Sequence, residues 1–134
     1  MATHAVTSQD FNQVVESNDL VFVDFWATWC GPCRAFGPTF EKASEANPDV
    51  YFAKVDIDQN PDLAAAAKVQ AVPTLTVVKK QQIIFQQAGA LRASDLDDLI
   101  SQAKALDMDA AASDGDTASS GDAKVKTPSS QSER

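Results

Sequence analysis

Histidine and cysteine are scarce in this chain: its 134 residues hold one histidine, His4, and two cysteines, Cys30 and Cys33. A tetrahedral zinc site uses about four such ligands, so no resident metal is expected and His4 reads as a solvated N-terminal residue. Two cysteines separated by two residues cannot tie distant segments together, which excludes a disulfide framework and leaves the pair to be explained locally. Positive charge is also in deficit. Eleven Lys and Arg against nineteen Asp and Glu give a net charge of −8, which repels a phosphate backbone, so no nucleic-acid partner is expected. Long apolar runs are missing too: residues 20–25 and 75–78 are the longest candidates, far short of the roughly 20 residues that span a bilayer. The N-terminal Met1-Ala2-Thr3-His4-Ala5-Val6 lacks the basic region and apolar stretch of a secretory signal. These absences lead to the expectation of no membrane association and a reducing, cytoplasmic location.

What is present suits one ordinary domain, with 44% apolar and 22% charged residues. Thr7 and Asp10 form a capping-box pattern, and Phe11, Val14 and Val15 follow at helical spacing, predicting a helix over 8–17. Residues 20–25 form a β-rich, nearly continuous apolar run, as expected of a central strand covered on both faces. Asp24 is the anomaly in that run. Phe36, Phe40 and Ala43 mark a helix over 33–46, with Gly37 and Pro38 inside it and a kink expected at the proline. A second core strand is predicted over 50–56, and a short Ala-rich helix over 62–68 opened by Pro61. Residues 73–78 and 82–86 read as a hairpin through Lys79-Lys80-Gln81, a turn without the usual glycine or asparagine. Ser94 and Asp97 form another capping-box pattern ahead of an apolar stripe of Leu96, Leu99, Ile100, Ala103 and Leu106, which marks a final helix.

This order of elements argues an α/β fold around a mixed sheet, with helices on both faces and a domain over residues 2–108. Residues 109–134 turn to Ser, Asp, Ala, Gly, Thr and Lys with Val125 as the one large aliphatic side chain, a composition expected to stay disordered. It reads as an inert solubilising extension, and the alternative is a regulated or partner-binding segment whose Ser119, Ser120, Thr127, Ser129, Ser130 and Ser132 could be modified.

The chemistry centres on the step from the Asp24 strand into Trp29-Cys30-Gly31-Pro32-Cys33. A cysteine at a helix N-terminus faces unpaired N–H groups and the positive end of the helix dipole, which favour its thiolate. Cysteines at i and i+3 can close a small disulfide ring, so one sulfur can attack a substrate disulfide and the other displace the product. A carboxylate flanked by Val23 and Phe25 would be desolvated, which raises its pKa toward the working range. The competing readings are a metal half-site for the cysteines and a strand-edge carboxylate for Asp24.

The pentapeptide Trp29-Cys30-Gly31-Pro32-Cys33 resembles the active site of the thioredoxin family. The resemblance extends from Phe11 to Leu106 through Phe25-Trp26-Ala27, Pro38, Lys54 with residues 56–61, Val72-Pro73-Thr74 and Gly89-Ala90-Leu91. It implies the thioredoxin fold, with about five strands, and a general protein-disulfide reductase that serves cell redox homeostasis and electron transport. It implies Cys30 as the exposed nucleophile, Cys33 as the buried resolving thiol, Asp24 as proton acceptor and donor for Cys33, and Lys54 as its modulating charge. Pro73 resembles a cis proline opposite the sulfurs, and Trp29, Gly31, Pro32, Val72, Pro73, Thr74, Gly89 and Ala90 would form the substrate groove. No cofactor is implied beyond the redox-active disulfide. The implied partners are disulfide-bearing client proteins and an NADPH-dependent thioredoxin reductase, met by a monomer. Gly31-Pro32 resembles the reducing members rather than the isomerases or glutaredoxins. A binding subunit using the same groove is the alternative from another class. Gly37 and the turn around Lys80 depart from the family pattern.

Overall fold

A computed structural model describes residues 2–108. Its elements are β1 (Thr3–Ala5), α1 (Phe11–Ser17), β2 (Leu20–Trp26), α2 (Gly31–Ala46), β3 (Tyr51–Asp56), α3 (Pro61–Ala66), β4 (Thr74–Lys79), β5 (Gln82–Ala88) and α4 (Ala93–Ala105). The unit up to Lys104 carries the sheet and all four helices apart from the last residue of α4. Of the unit that starts at Ala105, only residues 105–108 are described, and the tail predicted over 109–134 lies outside them.

Strand order is β1-β3-β2-β4-β5, with β1 and β2 parallel to β3, and β4 antiparallel to both β2 and β5. This is the expected five-stranded mixed sheet. Alternation along β2 divides the core into two layers, because successive side chains of a strand point to opposite faces. Leu20 and Phe22 pack with Phe36 and Phe40 of α2 and with Leu96 and Ile100 of α4. Val21, Val23 and Phe25 pack on the other face with Val15 of α1 and Leu63 of α3. Asp24 and Trp26 share the parity of Phe22 and therefore belong to the α2 face.

Several elements differ from their predicted bounds. β1 was missed: it is three residues long and mostly exposed, too short for alternation to show. α1 begins three residues late, because residues 8–10 form a turn in which the Thr7 hydroxyl bonds Asp10 Oδ2 at 3.0 Å. α2 begins at Gly31, earlier than predicted, and continues through Gly37 and Pro38. α3 stops at Ala66 because Lys68 takes a left-handed conformation (φ 61°) and the Val69 N–H turns back to the Ala64 carbonyl. Ser94 lies inside α4 and does not cap it; Arg92 precedes the helix, its carbonyl accepting from Leu96 N–H and its guanidinium pairing with Asp95 at 3.1 Å. Leu106 lies past the end of α4 and is exposed.

The hairpin turn is the pair Lys80 and Gln81, both left-handed (φ 49° and 67°), whereas Lys79 stays in β4 opposite Gln82. Lys79 is buried, and its ammonium donates to the carbonyls of Ala103 (2.7 Å) and Lys104 (3.2 Å) at the end of α4. That contact satisfies carbonyls the helix leaves without intrahelical partners.

Candidate active site

β2 ends at Trp26, and Ala27, Thr28 and Trp29 carry the chain across to Cys30, the N-cap of α2. Pro32 stands in the first helical turn, where its missing N–H is not needed. Cys30 and Cys33 form a disulfide with their Cα atoms 5.3 Å apart. The Cys33 N–H points at Cys30 Sγ, 3.1 Å away. In the reduced protein that N–H and the dipole of a 16-residue helix act together to stabilise negative charge on the Cys30 sulfur. Among the described residues no group of three or more His, Cys, Asp or Glu side chains gathers where it could hold a metal ion.

The sulfurs rest in a small apolar setting of Ala27, Trp26, Ile57 and Val72. Cys30 Sγ lies 3.6 Å from the Val72 carbonyl oxygen, which brings the Val72-Pro73 segment against the disulfide. The Val72-Pro73 bond is cis. Gly89 N–H bonds the Pro73 carbonyl at 2.8 Å, and Gly89 has φ 103°, a conformation that suits glycine. The structure therefore gathers Cys30, Cys33, Val72, Pro73 and Gly89 in one place. Gly31, Pro32 and Ala90 are exposed beside them in the chain. Thr74 is buried with its hydroxyl donating to Ala71 O at 2.6 Å, so it closes the Pro73 loop from within.

The expected exposure of Cys30 is corrected. In the disulfide form Cys30 is 4% exposed and Cys33 5%, because the bond and the Val72 carbonyl cover the Cys30 sulfur. The neighbouring Trp29 is 65% exposed, and its indole N–H donates to Asp58 Oδ2 at 2.8 Å. Asp58 is held in turn by its N–H on Asp56 Oδ1 at 2.9 Å. The roles of Asp58 and Ile57 at the site went unread in the sequence, although both lie in the segment that follows Lys54.

Asp24 is 1% exposed, and neither carboxylate oxygen has a hydrogen-bond partner among the described residues. The strand-edge alternative fails, since β2 lies between β3 and β4. Burial pushes the Asp24 pKa up from 3.8 to about 7, and the Lys54 charge offsets part of that rise. Lys54 is the β3 residue registered against Asp24. Its ammonium lies 5.1 Å from the Trp26 ring centroid, a cation–π contact. Trp26 is half-buried and forms one wall of a cavity of about 670 Å³ that Cys33 and Lys54 also line. Among the described residues no helix is long and apolar enough to cross a membrane.

A mixed sheet clasped by helices, with a disulfide at a helix N-terminus facing a cis proline and a buried carboxylate on the strand that leads into that helix, defines a thiol–disulfide oxidoreductase. The Thioredoxin family profile matches residues 2–102. A Streptomyces coelicolor relative named as a thioredoxin 2 is 50% identical over 108 residues, covering 81% of each chain. The solved structure of a mutant thioredoxin from Halobacterium salinarum is 34% identical with a TM-score of 0.74, over 78% of this chain and 93% of that one. A chain from a structural study of how yeast mitochondrial 1-Cys peroxiredoxin is resolved via glutathione/thioredoxin systems is 35% identical. It has a TM-score of 0.70 over 75% of this chain and 95% of that one. The chain belongs to the thioredoxin family and is a protein-disulfide oxidoreductase that works by thiol–disulfide exchange.

Proposed function

We propose that this protein is a general protein-disulfide reductase, with Cys30 as nucleophile and Cys33 as resolving thiol. The observation that carries this reading is the Cys33 N–H aimed at Cys30 Sγ from the first turn of α2, which makes Cys30 the sulfur better stabilised as a thiolate. The Cys30 thiolate attacks a client disulfide, forming a mixed disulfide and expelling one client thiolate. Cys33 gives its proton to the Asp24 carboxylate, attacks Cys30 Sγ and releases the second client thiolate. The client gains two electrons, and the protein is left with the Cys30–Cys33 bond seen in the structure. Asp24 suits the proton step because its pKa of about 7 lies close to working pH. Lys54 modulates it.

Trp29, Gly31, Pro32, Val72, Pro73, Thr74, Gly89 and Ala90 form the client groove in this reading, with Pro73 and Thr74 shaping it from beneath. Electrons return from an NADPH-dependent thioredoxin reductase. The protein acts as a cytoplasmic monomer in electron transport and redox homeostasis, without a further cofactor. Insulin reduction with dithiothreitol as electron source tests the reading. The native protein should accelerate turnover, and Cys30→Ser should return it to the dithiothreitol background. A folded native protein that gives no acceleration would overturn the reductase reading.

A further inference from the structure

The cavity of about 670 Å³ beside Cys33 brings opposite charges onto its walls, Lys54 from β3 and Glu41 from α2. Glu41 follows Cys33 by just over two helical turns and so lies on nearly the same face of α2. Its carboxylate is held at both oxygens. The Thr3 N–H reaches Oε1 at 3.3 Å and the Thr3 hydroxyl reaches Oε2 at 2.7 Å. Thr3 belongs to β1, and β1 is registered on β3 with Thr3 opposite Phe52 and Ala5 opposite Lys54. One ladder thus fixes both the anchor of Glu41 and the strand that carries Lys54. Burial opposes ionisation of Glu41, but the Thr3 hydrogen bonds and the Lys54 charge outweigh it and hold its pKa below the ordinary value. Glu41 is therefore anionic wherever Asp24 titrates.

We propose that Glu41 is a positioning residue for the exchange reaction: anchored by Thr3, it keeps a second carboxylate against Lys54 and divides that ammonium's influence between itself and Asp24. The inference rests on the proton-transfer role proposed for Asp24. Lys54 alone favours ionised Asp24. The fixed Glu41 charge, itself coupled to Lys54, offsets this by neutralising part of the Lys54 field. Asp24 consequently keeps the proton affinity it needs to accept from Cys33. Other ionisable groups near this site include the chain's N-terminal charge, which also lowers the Glu41 pKa, Arg34 of α2, which lines the cavity and donates to the Thr28 carbonyl at 2.9 Å, and Asp56 of β3. The Asp56 side chain accepts from Asp58 and Gln59 N–H groups. On β4 the residue registered against Asp24 is the uncharged Leu75.

The test is a carbon-13 NMR titration of the Asp24 carboxyl in the full chain, oxidised so that no thiol titrates with it. Native protein is compared with Glu41→Gln and Glu41→Asp, and the pH profile of mixed-disulfide resolution is followed in parallel. Glu41→Gln keeps an oxygen acceptor for Thr3 but removes the charge. It should lower the Asp24 midpoint by roughly 0.5 of a pH unit and move the resolution profile the same way. Glu41→Asp restores the charge and should bring both back toward native. An unchanged midpoint in folded Glu41→Gln, or an equal shift in both variants, would overturn the proposal. Failure of the reductase reading itself shows separately, as a native protein without insulin turnover, because the NMR midpoint requires no activity.

Discussion

Asp24 is where, at the residue scale, the proposed proton-transfer role runs against stability. Its carboxyl is ordinarily half-ionised near pH 3.8 and in the fold near pH 7. Below pH 3.8 both folded and unfolded chains hold the proton. Between the two values the unfolded chain loses it first, so stability falls as pH rises, and above about 7 the loss is complete. The gap between 3.8 and about 7 corresponds to roughly 4 kcal/mol by proton linkage. Asp24→Leu should therefore raise stability to urea at pH 8 by a few kcal/mol and leave it nearly unchanged at pH 3.5, while slowing mixed-disulfide resolution at neutral pH. Equal stabilisation at both pH values would assign the effect to packing instead. Cys30, Cys33 and Asp24 were legible because each contradicts its local pattern: two thiols at a helix start, and one charge in an apolar strand. Asp58 and Glu41 were not legible in their roles. Their contacts with Trp29 and Thr3 cross 29 and 38 positions, and no local period records such distances.

At the scale of elements, the β2, β3 and β4 segments were readable because burial on both faces selects continuous apolar runs. Boundaries were less readable, since they depend on single backbone conformations. Lys68 ends α3 by turning left-handed, and the Lys80-Gln81 pair does the same between β4 and β5. Neither position carries the glycine or asparagine that usually signals such a turn. The same conflict makes a prediction. With Gln81 at φ 67°, Gln81→Gly should stabilise the fold by about 0.5–1 kcal/mol, because relief of left-handed strain exceeds the added entropy of the unfolded chain. Urea unfolding monitored by tryptophan fluorescence measures it, and a lower midpoint would contradict the conformational argument. α2 holds a different compromise. Gly37 and Pro38 both weaken a helix interior, yet α2 runs unbroken from Gly31 to Ala46 because Phe36, Phe40 and Ala43 anchor it to the sheet.

For the whole molecule, the expectation of a mixed five-stranded sheet with helices on both faces holds, and the family match covers residues 2–102. The topology explains how short motifs far apart in sequence meet: β2 leads into α2 at Cys30, while the loop before β4 brings Val72-Pro73 to the same end of the sheet. The overall charge of −8 weighs against polyanionic partners.

The division of labour between the two sulfurs is open to a trapping experiment with the full-length Cys33→Ser variant and a disulfide-bearing client, read by mass spectrometry under non-reducing conditions. A stable one-to-one mixed disulfide mapped to Cys30 and released by added dithiol is expected, with no such adduct from native protein because Cys33 resolves it. Failure of folded Cys33→Ser to form an adduct, or a comparable adduct from Cys30→Ser mapped to Cys33, would contradict the assignment of the two sulfurs.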